Sequence, residues 1–378
     1  MDLVLLREHI EKLHTQDGVP GCGVAVYRHG QPVFSYTTGY ADAAQTRPVD
    51  EKTLFNLYSC SKPITVAAAM QLVERGLLGL DDPVMKYLPE YAEAYVIEDG
   101  QHVTVGDTMT IRHLFTMSAG LTYDLSAPAI LALREKDPEA STRQMVSTLI
   151  EAPLAFRPGD RFNYSLCHDV LGAVIEVVSG QSFGDYLREH IFTPLGMTDI
   201  GFHATAQQLP RFAAQFSSPA GAVPAPTGDD TIGAFRLSKN YESGGAGLFA
   251  SLETYGRFAA AMACGGVSAD GARILRSETV DLIRSPQLDK VVRNDTFGCS
   301  GGAGYGYGLG VRTLMRRDGG QRSSVGEFGW DGAAGSYVLM DPAEQVAIVY
   351  LQAVFDWGSR FGDMHAAIRD LTYEDLGL

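Results

Sequence analysis

Residues 55–91 read FNLYSCSKPITVAAAMQLVERGLLGLDDPVMKYLPEY. Ser59-Cys60-Ser61-Lys62 opens this stretch, and the run that follows is rich in small and aliphatic residues up to Gly76, a residue type that often ends helices. The pattern predicts a helix over residues 60–76, with Ser59 at its start. Pro63 fits there because the first helical turn has no partner for the N–H it lacks. A spacing of three puts Ser59 and Lys62 on one helix face. A lysine beside a serine can act as a base only when neutral, so burial or a nearby cation has to lower its pKa. The start of a helix also offers backbone N–H groups to a developing oxyanion. A plainer reading fits the same four residues: Ser59 or Ser61 caps the helix and Lys62 sits in solvent.

Outward from this stretch, both chain ends have strand texture. Residues 2–15 carry Leu3, Leu6, Ile10 and Leu13 at helical spacing. Gly23–Tyr27 and Pro32–Tyr36 are apolar runs around a turn at His29-Gly30, which predicts a hairpin. Near the other end, residues 335–340 and 345–351 form a second predicted hairpin around Asp341-Pro342-Ala343-Glu344. Further helices are expected over 166–179, 251–265 and 359–372. Between about 81 and 240, short helical segments alternate with loops rich in Gly, Pro and Asp. The expected fold is therefore α/β in the α+β sense: an antiparallel sheet flanked by helices, with a mostly helical domain inserted. The expected division is 1–80 with 241–378 as the sheet domain and 81–240 as the insertion. A cleft at their seam would be a natural site.

Three further segments carry chemistry in a fixed order: HLFTMSAGLTYD at 113–124, the stretch containing Tyr164-Ser165-Leu166, and FGWDGAAGSYVLMDP at 328–342. Together with residues 55–91 they resemble the class C β-lactamases and the wider group of penicillin-binding proteins and esterases, whose signature includes S-x-x-K. The similarity spans roughly residues 18–352. By this resemblance Ser59 is the nucleophile, Lys62 its partner, and Tyr164 lies close to both and shuttles the proton. A phenol has a pKa of about 10, so a phenolate there would need the Lys62 cation. The resemblance also implies an oxyanion hole from the N–H groups of Ser59 and Ala333.

Two positions depart from the β-lactam-hydrolysing pattern. The third position of the tyrosine motif is commonly Asn, whereas Leu166 cannot hydrogen-bond. The last motif normally begins with Lys or His, but here it is Trp330-Asp331-Gly332, and an indole attracts no carboxylate. Trp330, Gly332 and Leu166 are the expected substrate-binding positions, and the departures favour small carboxylic esters. Within the same resemblance, a β-lactamase or D-amino-acid peptidase, an acyltransferase, and a non-catalytic penicillin-binding sensor are the alternatives.

Other features narrow the field. A formal net charge of −15 disfavours nucleic acid and anionic membranes as partners; the resemblance implies a small-molecule ester or amide. Five cysteines, an odd number with no C-x-x-C pair, argue against a disulfide framework. Asp2, Arg7, Glu8, Glu11 and Lys12 interrupt any signal-peptide core, so a cytoplasmic location is expected, with a mature form already freed of its signal as the alternative. Gly180-Gln181-Ser182-Phe183-Gly184 matches G-x-S-x-G, yet a helix rather than a strand precedes it, and Ser182 with Asp185 reads as a cap. Gly301–Gly310 reads as a loop without a dinucleotide fingerprint. Nine histidines show no metal-binding spacing, and neither a metal nor another cofactor is expected.

Overall fold

The structure, a computed structural model, describes residues 1–217, 224–225, 235–288, 302–355 and 360–378. Helix α1 (Val4–Thr15) leads into strands β1 (Gly21–Arg28) and β2 (Gln31–Gly39). Their turn is His29-Gly30, with φ of 52° and 76°, the left-handed pair that matches the twist of a two-residue hairpin. The predicted hairpin is correct in place, and each strand runs further at both ends. Near the C-terminus come β3 (Tyr305–Tyr307), β4 (Arg312–Leu314), β5 (Phe328–Asp331), β6 (Tyr337–Asp341) and β7 (Val346–Gln352). All seven strands form one antiparallel sheet in the order β3-β4-β5-β6-β7-β1-β2, so the two ends of the chain meet at β7 and β1.

Strand β3 corrects one expectation. Residues 302–310 are not wholly loop, because Tyr305–Tyr307 pairs with β4; Gly301 lies outside the described residues. Glycine content hid a short strand whose ordering comes from its neighbour rather than from its own propensity.

Alternation along the central strands sorts two cores. Cys22, Val24, Val26, Tyr337, Leu339, Val346, Ile348 and Tyr350 face α1 and the last helix, α5 (Arg360–Leu376). Ala25, Tyr27, Val338, Met340, Ala347, Val349 and Leu351 face a larger core that includes helix α4 (Leu252–Ala263). Both faces are covered, which is why β7 reads as an unbroken apolar run. The span expected for α5 is 359–372; its start at 359 lies outside the described residues, and its end extends to Leu376 because Tyr373 and Leu376 continue the buried stripe. Asp375 also accepts a hydrogen bond from the Leu6 N–H at 2.9 Å, satisfying an orphan donor in the first turn of α1.

The larger core holds α2 (Lys62–Glu74) and α3 (Cys167–Ser179), packed against each other. Residues 62–72 of α2 are buried all round, so this helix lies inside the molecule rather than on it. Between α2 and α3 lie short helices and the hairpin Tyr95–Glu98/Gln101–Thr104. The Leu54–Asn56 strand, which leads into α2, pairs with Phe249–Ser251 from beyond residue 240. Among the described residues, no helix is long and apolar enough to cross a membrane.

Strand β5 is pinned from β4. Arg312 is fully buried; its guanidinium donates to the Asp331 carboxylate at 3.3 Å and to the Val338 carbonyl at 3.0 Å, and lies 4.6 Å from the Tyr337 ring centre. Removing the cation would take a close counter-charge from Asp331 and from the buried Glu327. Arg312→Ala is expected to lower unfolding stability by roughly 3–5 kcal/mol; urea denaturation followed by circular dichroism measures it.

Candidate active site

Ser59 does not open the α-helix as predicted. It lies in a 3₁₀ turn, Tyr58–Ser61, and α2 begins at Lys62. The turn is forced by Tyr58, whose φ of 48° is left-handed. A non-glycine residue held there costs on the order of 1–3 kcal/mol, and packing has to hold it. The Tyr58 ring is fully buried, 5.5 Å from the Phe235 ring and 4.9 Å from that of Phe355, and its hydroxyl donates to Gln215 Oε1 at 2.9 Å. Neither serine caps the helix: Ser61 Oγ instead accepts from the Leu248 N–H at 3.0 Å. The plainer reading of this motif therefore does not describe the molecule.

Lys62 is fully buried. Its Nζ donates to the Gly245 carbonyl at 2.7 Å and to Ser59 Oγ at 3.2 Å, and lies 4.5 Å from the Tyr164 ring centre and 5.6 Å from that of Tyr123. Removal from water lowers its pKa to about 7, against the opposing pull of the Asp169 charge. The amine is thus shared between charged and neutral forms near neutrality.

Tyr164, just ahead of α3, donates from Oη to Ser59 Oγ at 2.6 Å. The Trp330 indole N–H donates in turn to Tyr164 Oη at 3.3 Å, and the two rings stack at 5.7 Å and 18°. The single donor of Trp330 is thereby committed to the tyrosine. Tyr123 stacks on the other side of Tyr164, at 5.5 Å and 15°. Tyr307 meets Trp330 edge-on at 5.4 Å, and Phe235 meets Tyr123 in the same manner at 6.1 Å. The walls around Ser59 are therefore aromatic rings.

The turn after β5 packs on the serine segment. A side chain at Gly332 would reach within 2.4 Å of the Leu57 carbonyl oxygen, so glycine allows that approach. Cys60 Sγ donates to the Trp330 carbonyl at 3.7 Å, and Ala334 packs against Tyr58. Ala333 is exposed on this turn. Leu166 is buried at the N-cap of α3, with its N–H donating to Thr122 O at 3.3 Å. Ser59, Lys62, Tyr164 and Trp330 are thus brought together, with the Gly332-Ala333 turn beside them.

Comparison with known proteins gives the family. The family model described as "Beta-lactamase" matches residues 6–373. The chain belongs to that family. It is a serine hydrolase of the family's fold. Esterase EstB of Burkholderia gladioli is 31% identical over 93% of this chain and 90% of its own. The solved structure of "EstCE1, a hydrolase with promiscuous acyltransferase activity" superposes with a TM-score of 0.80 at 28% identity, covering 98% of this chain and 97% of its own. Simvastatin synthase LovD from Aspergillus terreus, at 22% identity, 99% and 98% coverage and a TM-score of 0.79, shares the fold.

Tyr123 and Gly245 were missed in the sequence. Tyr123 lies within a quoted motif, but nothing in its spacing shows that it stacks on Tyr164. Gly245 contributes a carbonyl, which no side-chain pattern reveals. Ser182 does cap the Phe183–Leu187 helix, accepting from the Asp185 N–H at 3.1 Å, so the G-x-S-x-G match is a helix junction. Cys22, Cys60, Cys167 and Cys264 are free thiols, and Cys299 lies outside the described residues. Among the described residues, no cluster of His, Cys, Asp and Glu could hold a metal ion.

Burial of Lys62 has a stability signature. The unfolded lysine keeps its proton to about pH 10.4, the folded one only to about 7. Folding therefore carries its full penalty below pH 7, and the penalty shrinks as pH rises from 7 towards 10. Lys62→Met is expected to flatten this rise of stability with pH; calorimetry from pH 6 to 10 checks it.

Proposed function

We propose that the protein hydrolyses small carboxylic esters with an apolar acyl or alkoxy group, through an acyl-enzyme on Ser59. The observation that carries this reading is Ser59 Oγ held between Tyr164 Oη at 2.6 Å and the buried amine of Lys62 at 3.2 Å. A hydroxyl between a phenol and an amine poised near neutrality can lose its proton as it attacks.

In the proposed cycle, Ser59 Oγ bonds to the ester carbonyl carbon while its proton passes to the Tyr164–Lys62 pair. The N–H groups of Ser59 and Ala333 receive the oxyanion. Collapse breaks the carbon–alkoxy bond, and the alcohol leaves with that proton. Water then attacks the acyl carbon, giving a proton to the same pair. The acid departs as Ser59 recovers its hydroxyl. An alcohol in place of water would complete acyl transfer by the same steps, an outlet supported by the promiscuous acyltransferase activity of the similar hydrolase EstCE1.

Ester preference rests on what the walls lack. The Trp330 N–H is occupied by Tyr164, and its ring offers an apolar face. Gly332 acts in this reading through its close backbone approach, which sets Ala333 beside the serine.

Ser59→Ala is expected to lower kcat/KM for p-nitrophenyl butyrate by at least about 10³-fold, with loss of fluorophosphonate labelling. Cephalosporin turnover matching that of the ester would defeat the ester preference. Since the neutral amine is the base, kcat/KM should rise with pH through an apparent pKa near 7; a profile flat from pH 5 to 9 would remove Lys62 from that role. Tyr164→Phe keeps the stack and removes the hydroxyl, and is expected to cost about 10²–10⁴-fold in kcat with a smaller change in KM.

A further inference from the structure

Asp169 is completely buried on α3, one turn beyond Tyr164, and the proposed cycle gives it no task. Its Oδ1 accepts from Tyr241 Oη at 2.7 Å and from Ser243 Oγ at 2.5 Å. Its other oxygen lies against Gly245: a side chain at that glycine would sit 2.5 Å from Asp169 Oδ2 and 3.5 Å from Lys62 Nζ. Only a residue without a side chain lets the carboxylate and the amine face each other here.

The same segment is stitched to α2. Lys62 Nζ donates to the Gly245 carbonyl at 2.7 Å, Thr65 Oγ1 to the Gly244 carbonyl at 2.7 Å, and the Leu248 N–H to Ser61 Oγ at 3.0 Å. Ser243 Oγ, besides donating to Asp169, accepts from the Ala246 N–H at 3.0 Å and so braces the loop. The Tyr241–Leu248 segment therefore links a buried carboxylate on α3 to the amine on α2. Burying a carboxylate without purpose is costly, and here the cost is borne next to the nucleophile's partner.

We propose that Asp169 is a positioning residue: through Tyr241, Ser243 and Gly245 it holds the Lys62 amine against Ser59 and supplies the negative charge that faces that amine inside the core. This inference rests on Lys62 acting on Ser59. The other groups around the pair come from several elements. Cys60 and Cys167 are buried thiols pushed upward by burial, and His168 is driven down to about 3 by burial, so all three are neutral at working pH. Tyr91 and Tyr241 are phenols pushed upward by burial, as is Tyr123, and Tyr164 faces the amine with its ring. Asp331 acts on the amine from β5, but it is paired with Arg312 at 3.3 Å. Asp169 is the largest of the charges acting on Lys62.

The test uses the full chain and p-nitrophenyl butyrate. Asp169→Asn keeps the shape and removes the charge, so the ammonium loses support and deprotonates more readily. The rising limb of kcat/KM is expected to move to lower pH by about 1 unit or more, with Ser59 still labelled by a fluorophosphonate. Burial pushes the Asp169 carboxyl upward and the Ser243 hydroxyl opposes this, so Ser243→Ala leaves less of it ionised and should move the limb in the same direction by less; it decides the matter if Asp169→Asn fails to fold. A folded Asp169→Asn protein whose limb stays in place would overturn the inference, as would an unmoved limb in Ser243→Ala where that variant is the deciding one. Lys62→Ala separates the two levels: if it keeps full activity, the reading of Lys62 itself fails, whereas an inactive Lys62→Ala beside an unmoved Asp169→Asn limb sinks the role of Asp169 alone.

Discussion

The Lys62 side chain is wholly withdrawn from water, and much of the surrounding structure answers to that fact. A charged amine in such a place is unstable unless dipoles and opposite charge face it. The Gly245 carbonyl, the Tyr164 ring and the Ser59 hydroxyl all do so within about 5 Å. Helix α2 has to be apolar on every side to bury the amine, and it then needs partners on every side. The sheet face and α3 supply them. The candidate site and the core are thus one construction, and changes intended for either will be felt in the other.

Two separate constraints bring the serine and the tryptophan turn together. From one side, Tyr58 is forced into a left-handed conformation and locked by Phe235, Phe355 and Gln215. From the other, β5 is fixed in register by β6 and by the buried Arg312 behind it. Both set heights and angles at the site, where errors of an ångström matter to rate.

What could be read in the sequence follows from which interactions are local. The central hairpins were visible because β1, β6 and β7 are apolar, bounded by turn residues, and buried on both faces. Helix α1 is visible from the spacing of its apolar residues, and α3 and α4 from their helical texture. Ser59, Lys62, Tyr164 and Trp330 came from the order of motifs rather than from any single one. The features that escaped depend on distant partners: β3 is ordered by β4, Tyr123 by Tyr164, and the Gly245 carbonyl by an amine on another helix. The start of α2 was misplaced because a non-glycine residue with positive φ leaves no mark in the sequence; Tyr58 has no local reason to adopt it.

The pairing of β1 with β7 joins residues from opposite ends of the chain, Cys22 with Gln352. A ribosome releases β1 and β2 long before the strand that completes their sheet exists. Until then the hairpin presents an unpaired edge, and the apolar faces that α5 will cover are open to water or to other chains. Sheets closed by such distant contacts form slowly and pass through aggregation-prone states. Ser59, Lys62 and Tyr164 all precede the Trp330 turn in the chain, and that turn lies next to the strands that close the sheet.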